Sequence, residues 1–245
     1  NREQLQPMFD AMGLSQLGTI EIVVAPAGEH VAMETSVACK GGDPGLLGLV
    51  MPDRTKTRLL RHLPANVESF SLSAFDLDAG MRAVERFFTA AGEGGAESFA
   101  QMLDAFRDKT KVRLREDLLA HIGGELLLLG DLRSLFTAVG EATAEGGRPD
   151  PSRLFNGYCL GIELRDGKAV AESLDKMLRA VGLHAARKTE DYRDTKIHEL
   201  RLGGALAIEY AVTDDLLLLV PGSRGNGNDY LRAVLDARLE GKGAL

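Results

Sequence analysis

The stretch YCLGIELRDGKAVAESLDKMLRAVG, residues 158–182, decides how the chain is read. Its opening carries Tyr158, Leu160, Ile162 and Leu164 at every second position, the period of a strand. Asp166 closes that run, and Leu174, Met177, Leu178 and Ala180 then recur at helical spacing until Gly182 stops them. The same construction runs from Asp76 through Val84, Phe87, Phe88 and Ala90 to Gly92, with sixteen residues from Asp to Gly in both copies. A third, weaker copy opens the chain with Leu5, Met8, Phe9, Ala11, Met12 and Gly13, although Pro7 interrupts its helical phase. The ends of the unit have local physical reasons. An Asp carboxylate can accept the orphan N–H groups of a first helical turn, and Gly adopts the left-handed conformation that ends a helix. The matched phase and spacing suggest an internal duplication. A repeat of this kind speaks about architecture and carries no nucleophile or metal-ligand set.

Working outward, the rest of the chain reads as α+β with mostly antiparallel sheets and packed helices, built from two similar halves. Ile20, Ile22 and Val24 alternate with polar residues, and Pro26, Gly28 and Glu29 turn the chain into a second alternating run, Val31 to Cys39. A helical stretch at 55–62 precedes Pro64, and Val67 to Phe75 forms the strand before Asp76. Glu97 to Phe106 reads as a helix, Gly123 and Gly124 as a break, and Leu126 to Leu129 as a strand. Leu132 to Ala144 has helical phase. Residues 145–152, with two Gly and two Pro, make a linker between a first half, 1–145, and a second half, 153–245. In that second half, strands near 195–202, 205–212 and 216–220 follow the helix, and a helix around 229–239 closes it. Helices on one face of an antiparallel sheet are expected for this order.

Composition excludes several classes. A chain of 245 residues with 44% hydrophobic and 27% charged residues is long enough to bury roughly 70–75% of its extended surface, so its core needs no metal or disulfide. A net charge of -7 opposes a nucleic-acid partner, because phosphate binding requires a concentrated positive surface. The basic clusters Arg58 and Arg61, or Lys109, Lys111, Arg113 and Arg115, read as solvated faces offset by Asp104, Asp108, Glu116 and Asp117. No stretch approaches the ~20 apolar residues of a membrane span. The chain begins at Asn1 without an apolar leader, which is expected if a natural N-terminus has been removed. Cys39 and Cys159 could pair, but strand parity opposes it: Cys39 continues an apolar face, and Cys159 lies opposite Tyr158, Leu160 and Ile162.

No catalytic constellation emerges from residue spacing. His30, His62, His121, His184 and His198 are scattered, no Cys-x-x-Cys or His-Glu-x-x-His is present, and no metal site or cofactor is implied. His198 shares a face with Leu200 and Leu202 and reads as a satisfied, partly buried histidine. Ser15 and Ser223 miss the nucleophile-elbow spacing. Asp214 and Asp215 stand where one strand must turn into the next, and Asp is a turn former. The sharpest candidate is Gly222-Ser223-Arg224-Gly225-Asn226-Gly227 between a strand and a helix. Backbone N–H groups there, with Gly222, Arg224, Gly225 and Gly227, could hold an anion. A flexible connection explains the same residues, which match neither a Walker loop nor a dinucleotide fingerprint.

The order strand, Asp, helix, Gly, with Leu118-Leu119-Ala120-His121-Ile122-Gly123-Gly124-Glu125-Leu126 leading into a strand, resembles a bacterial family of unknown function. Leu63-Pro64-Ala65-Asn66 is similar to that family's recurring Leu-Pro-Ala-Asp lead into a strand, with Asn66 in place of the usual Asp. The resemblance implies repeated α+β units and a periplasmic or otherwise extracytoplasmic location, and carries over no catalytic residue. The expectation is a non-catalytic binding or scaffold protein of the bacterial envelope, with a protein or other envelope component as partner. The alternative is a small-ligand or anion-binding protein, or an enzyme, with its site near Gly222 to Gly227.

Overall fold

A computed structural model of the chain describes residues 13–27, 30–41, 58–65, 67, 69–130, 158–202, 207–221 and 230–240, together with Gln6, Phe9, Asp10 and Leu49. The backbone gathers into two compact units, one of Asn1–Asp53 with Phe75–Met102 and one of Arg54–Ala74 with Leu103–Leu245.

In the first unit β1 (Leu17–Ala27) pairs antiparallel with β2 (His30–Cys39), in register from Ile20 opposite Val37 to Ala27 opposite His30. The hairpin read from the alternation is therefore present, and Ile20, Ile22 and Val24 stay exposed along β1. Helix α1 (Leu77–Ala90) starts where the Asp76 side chain accepts the Ala79 N–H at 2.9 Å. Helix α2 (Gly95–Thr110) follows, belonging to this unit up to Met102, with the Phe99 ring 5.5 Å from Phe88.

The second unit holds a seven-stranded antiparallel sheet of order β3-β4-β5-β9-β8-β7-β6. Its strands are β3 (Ser69–Ala74), β4 (Ile122–Gly130), β5 (Tyr158–Leu164), β6 (Arg187–Tyr192), β7 (Thr195–Arg201), β8 (Ala207–Val212) and β9 (Leu216–Pro221). The α+β class is thus as expected, but the helices do not share one face. Alternate residues of β9 point to opposite sides. Leu216 and Leu218 join Leu231, Val234 and Leu235 of α4 (Tyr230–Glu240), whereas Leu217 and Leu219 join Val170 and Leu174 of α3 (Gly167–Ala180). Central strands buried on both faces lose the polar alternation that parity arguments need. This corrects the placing of Cys159 outside the core: it is a fully buried thiol packed with Leu127 and Leu129. The side chain of Cys39 lies outside the described residues.

Two further readings change, and one strand had no signal in the sequence. Gly123 and Gly124 lie inside β4 and do not end it. They form an irregularity between Ile122 and Leu126 in the pairing with β5, and Gly124 N–H donates to Glu163 Oε2 at 2.9 Å. A Cβ on Gly123 would stand 2.5 Å from Glu163 Cγ, so the close approach of that carboxylate requires the glycine. β6, Arg-Lys-Thr-Glu-Asp-Tyr, went unread because an edge strand of polar residues has no apolar period. The helical stretch at 55–62 is a 3₁₀ turn over Arg58–His62, and its first three residues lie outside the described set.

The division of the chain at 145–152 also lies outside the described residues, as does the helical phase at 132–144. The strands flanking that segment, β4 and β5, are hydrogen-bonded neighbours in one sheet. The matched units agree locally: α1 and α3 each run 14 residues, each begins on an Asp that accepts an Ala N–H, and Gly92 and Gly182 both have positive φ. After α3, Leu183 N–H reaches Leu178 O at 2.8 Å and Gly182 N–H reaches Arg179 O at 3.1 Å, the pairing that satisfies a helix's last carbonyls. The strands before these helices differ in position, β3 at the sheet edge and β5 in its interior, so duplication does not follow from the fold. Among the described residues no helix is long and apolar enough to cross a membrane.

Candidate functional site

Helix α3 is anchored at its first turn. Gly167 N–H donates to Asp214 O at 2.9 Å, and Asp166 caps Ala169 N–H at 3.0 Å. The helix therefore starts against the β8–β9 turn. Between it and strands β6, β7 and β8 lies a cleft of about 380 Å³, within the roughly 300–1,000 Å³ of typical ligand sites. Lys168, Ala171 and Leu174 line it from α3, Lys196 and His198 from β7, Tyr210 and Val212 from β8, and Arg187 from β6. Asp194, Thr195, Thr213, Asp214 and Arg238 complete the rim.

Pleating explains which strand residues meet there. His198 pairs with Tyr210 and with Thr189 across the ladder, so all three share a face. The His198 and Tyr210 rings stack 4.8 Å apart, and His198 Nδ1 lies 2.9 Å from Thr189 Oγ1. That contact occupies one ring nitrogen. The half-buried imidazole is held below its ordinary pKa, first by burial and then by the positive charges of Arg187 and Lys196, with Asp175 opposing.

Three cations of the cleft are braced by carboxylates. Arg187 Nη2 donates to Asp175 Oδ1 at 2.8 Å and meets His184 Nε2 at 2.9 Å, while its Nη1 reaches Tyr210 Oη at 3.4 Å. Asp175 is shared with Arg179 at 2.7 Å, and these contacts lower its pKa, Arg179 foremost. Lys196 Nζ donates to Asp191 Oδ1 at 2.6 Å. Arg238 donates to Asp215 Oδ1 at 3.2 Å and to Asp194 Oδ2 at 3.5 Å. Lys168 has no ion pair among the described residues.

Beside the cleft, Asp215 ties three elements together. It accepts Arg61 Nη2 at 2.6 Å, Thr213 Oγ1 at 3.1 Å and Arg238 Nε at 3.2 Å, and its Oδ2 stands 3.4 Å from Nε2 of the buried His62. The His62 contact, followed by those of Thr213 and Arg238, holds the carboxyl far below the usual range against the opposing effect of burial. His62 Nε2 also faces Arg61 Nε at 3.0 Å, and its buried Nδ1 has no partner among the described residues. Two of the sequence candidates thus part company, Asp214 going to the cleft rim and Asp215 to this ionic knot.

Gly222, Arg224, Gly225 and Gly227 lie outside the described residues. His198, read as a satisfied histidine, is bonded to Thr189 and also lines the cleft. Arg187, Lys196, Lys168 and Arg238 were missed because they come from four separate elements; only the i,i+4 pair Asp175–Arg179 had a sequence signal. Among the described residues no three His, Cys, Asp or Glu side chains gather as a metal site. No protein-family model matches the chain, and no curated protein or solved structure matches it.

Proposed function

We propose that this is a non-catalytic binding protein that holds a small polar ligand in the cleft between α3 and strands β6–β8. The observation that carries the reading is the bracing of the lining: Arg187 and Arg238, both largely buried, are each held by a carboxylate, Asp175 and Asp215 respectively. Side chains ordered before a ligand arrives spare part of the entropy cost of binding. The family resemblance adds the proposal that the protein works outside the cytoplasm, which cell fractionation of the gene product would test.

The cleft is tested by calorimetry and thermal unfolding against a panel of small anions, sugars, amino acids and polyamines. Saturable binding should raise stability by about 2.7 kcal/mol at a hundred times Kd. Binding should weaken at least tenfold in Lys168→Gln/Lys196→Gln, two exposed changes that leave the core intact. A panel with no binder, or a binder indifferent to both substitutions, refutes the reading. A second reading, contact with a partner protein, is favoured by one observation: Ile20, Ile22 and Val24 are 59–63% exposed along β1.

A further inference from the structure

The cleft's lining carries four permanent cations, Lys168, Arg187, Lys196 and Arg238, and two carboxylates, Asp194 and Asp214; behind the lining Asp175, Asp191 and Asp215 pair with Arg187, Lys196 and Arg238, which leaves Lys168 as the lining cation without an ion pair among the described residues. Asp194 is engaged by Arg238. Within this field sits a group that can change charge near neutral pH. His198 shares the wall with Arg187 and Lys196, its Nδ1 is taken by Thr189, and its ring is stacked on Tyr210.

We propose that the cleft takes a divalent oxyanion, or a small molecule bearing one, together with one solvent proton on His198. This rests on the cleft being the ligand site. Without an anion beside it, a proton on His198 is opposed by burial and by its cationic neighbours. Asp175, on the far side of Arg187, is the carboxylate that acts against them, and Asp191 is engaged by Lys196. A bound dianion offsets the positive charges that face His198. The imidazole then becomes an imidazolium, and its remaining ring N–H is a charge-assisted donor for the anion. Proton and anion binding are therefore linked: each pKa unit by which the anion raises His198 tightens binding tenfold at acid pH relative to alkaline pH. His184, in contact with Arg187 and Asp175, and His62, which meets Asp215 beside the cleft, are the histidines nearest to it among the described residues; His184 serves as the control.

Sulfate is the probe, because its charge is constant from pH 5 to 9, and ionic strength is matched with chloride. Calorimetry on the whole chain should give a sulfate Kd at least tenfold tighter at pH 5.5 than at pH 8. The His198 ring resonance, assigned by its loss in His198→Gln, should titrate at higher pH with sulfate than without. His198→Gln should bind sulfate with a Kd that is flat in pH, and His184→Gln should keep the wild-type slope. Absence of sulfate binding at every pH overturns the anion assignment, while the ligand panel still decides whether the cleft binds anything else. Equal Kd at pH 5.5 and 8, an unmoved His198 titration, or a wild-type slope in His198→Gln overturns the proton coupling and leaves the cleft reading standing.

Discussion

Gly167→Ala is a steric test of how the cleft is built. A Cβ at this position would overlap the Thr213 carbonyl oxygen and stand 2.8 Å from Thr213 C and 2.9 Å from Asp214 Cα. All three are backbone atoms of the β8–β9 turn, so no side-chain rotation relieves the overlap and α3 or the turn must shift. Forced overpacking costs about 1–3 kcal/mol. Weakening the Gly167 N–H to Asp214 O bond adds about 1 kcal/mol, and better helix propensity returns at most about 1. The net expectation is a loss of about 2 kcal/mol, with Gly161→Ala as the opposite case. There a Cβ meets Leu127 Cβ and Leu216 Cδ1 at 3.5 Å and Leu218 Cδ2 at 3.6 Å, ordinary contacts in a strand interior. That substitution should stabilise by about 0.5–1 kcal/mol. The chain has no Trp, and its four Tyr, at 158, 192, 210 and 230, all lie in the second unit, so tyrosine fluorescence in urea follows that unit selectively. A wild-type midpoint for Gly167→Ala, or an equal loss for Gly161→Ala, would refute the steric argument.

The helix caps predict a matched pair of effects: Asp76→Ala and Asp166→Ala should each cost about 1 kcal/mol, and a silent substitution at either would show that the cap bond contributes nothing there. Asp215 predicts an acid limb. Its folded pKa is depressed, so its contribution to stability is complete above the unfolded value near 3.9 and is lost as pH falls through the lower folded value. Asp215→Asn should cost about 1–3 kcal/mol at pH 7 and flatten that limb in urea titrations between pH 2 and 5; an unchanged acid slope would assign the limb to other carboxylates.

The elements legible in the chain are those whose cause is local. Asp76 and Asp166 cap helices through their own third neighbours, Gly182 closes α3 within two residues, and Ile20 to Val24 alternate because a hairpin needs nothing beyond its own pairing. The α+β class follows from those periods. What required the tertiary structure is everything that depends on a second element crossing the first. Cys159 is buried because α3 and α4 cover opposite faces of the sheet, and β6 is a strand because β7 supplies its hydrogen bonds. Gly123 is needed because Glu163 comes from another strand. The cleft depends on such crossings most of all. Arg187, Lys196, Lys168 and Arg238 are ordinary surface cations in sequence; they become one site only where the pleat turns β6, β7 and β8 toward α3, and charge convergence across strands leaves no period in a linear chain to read.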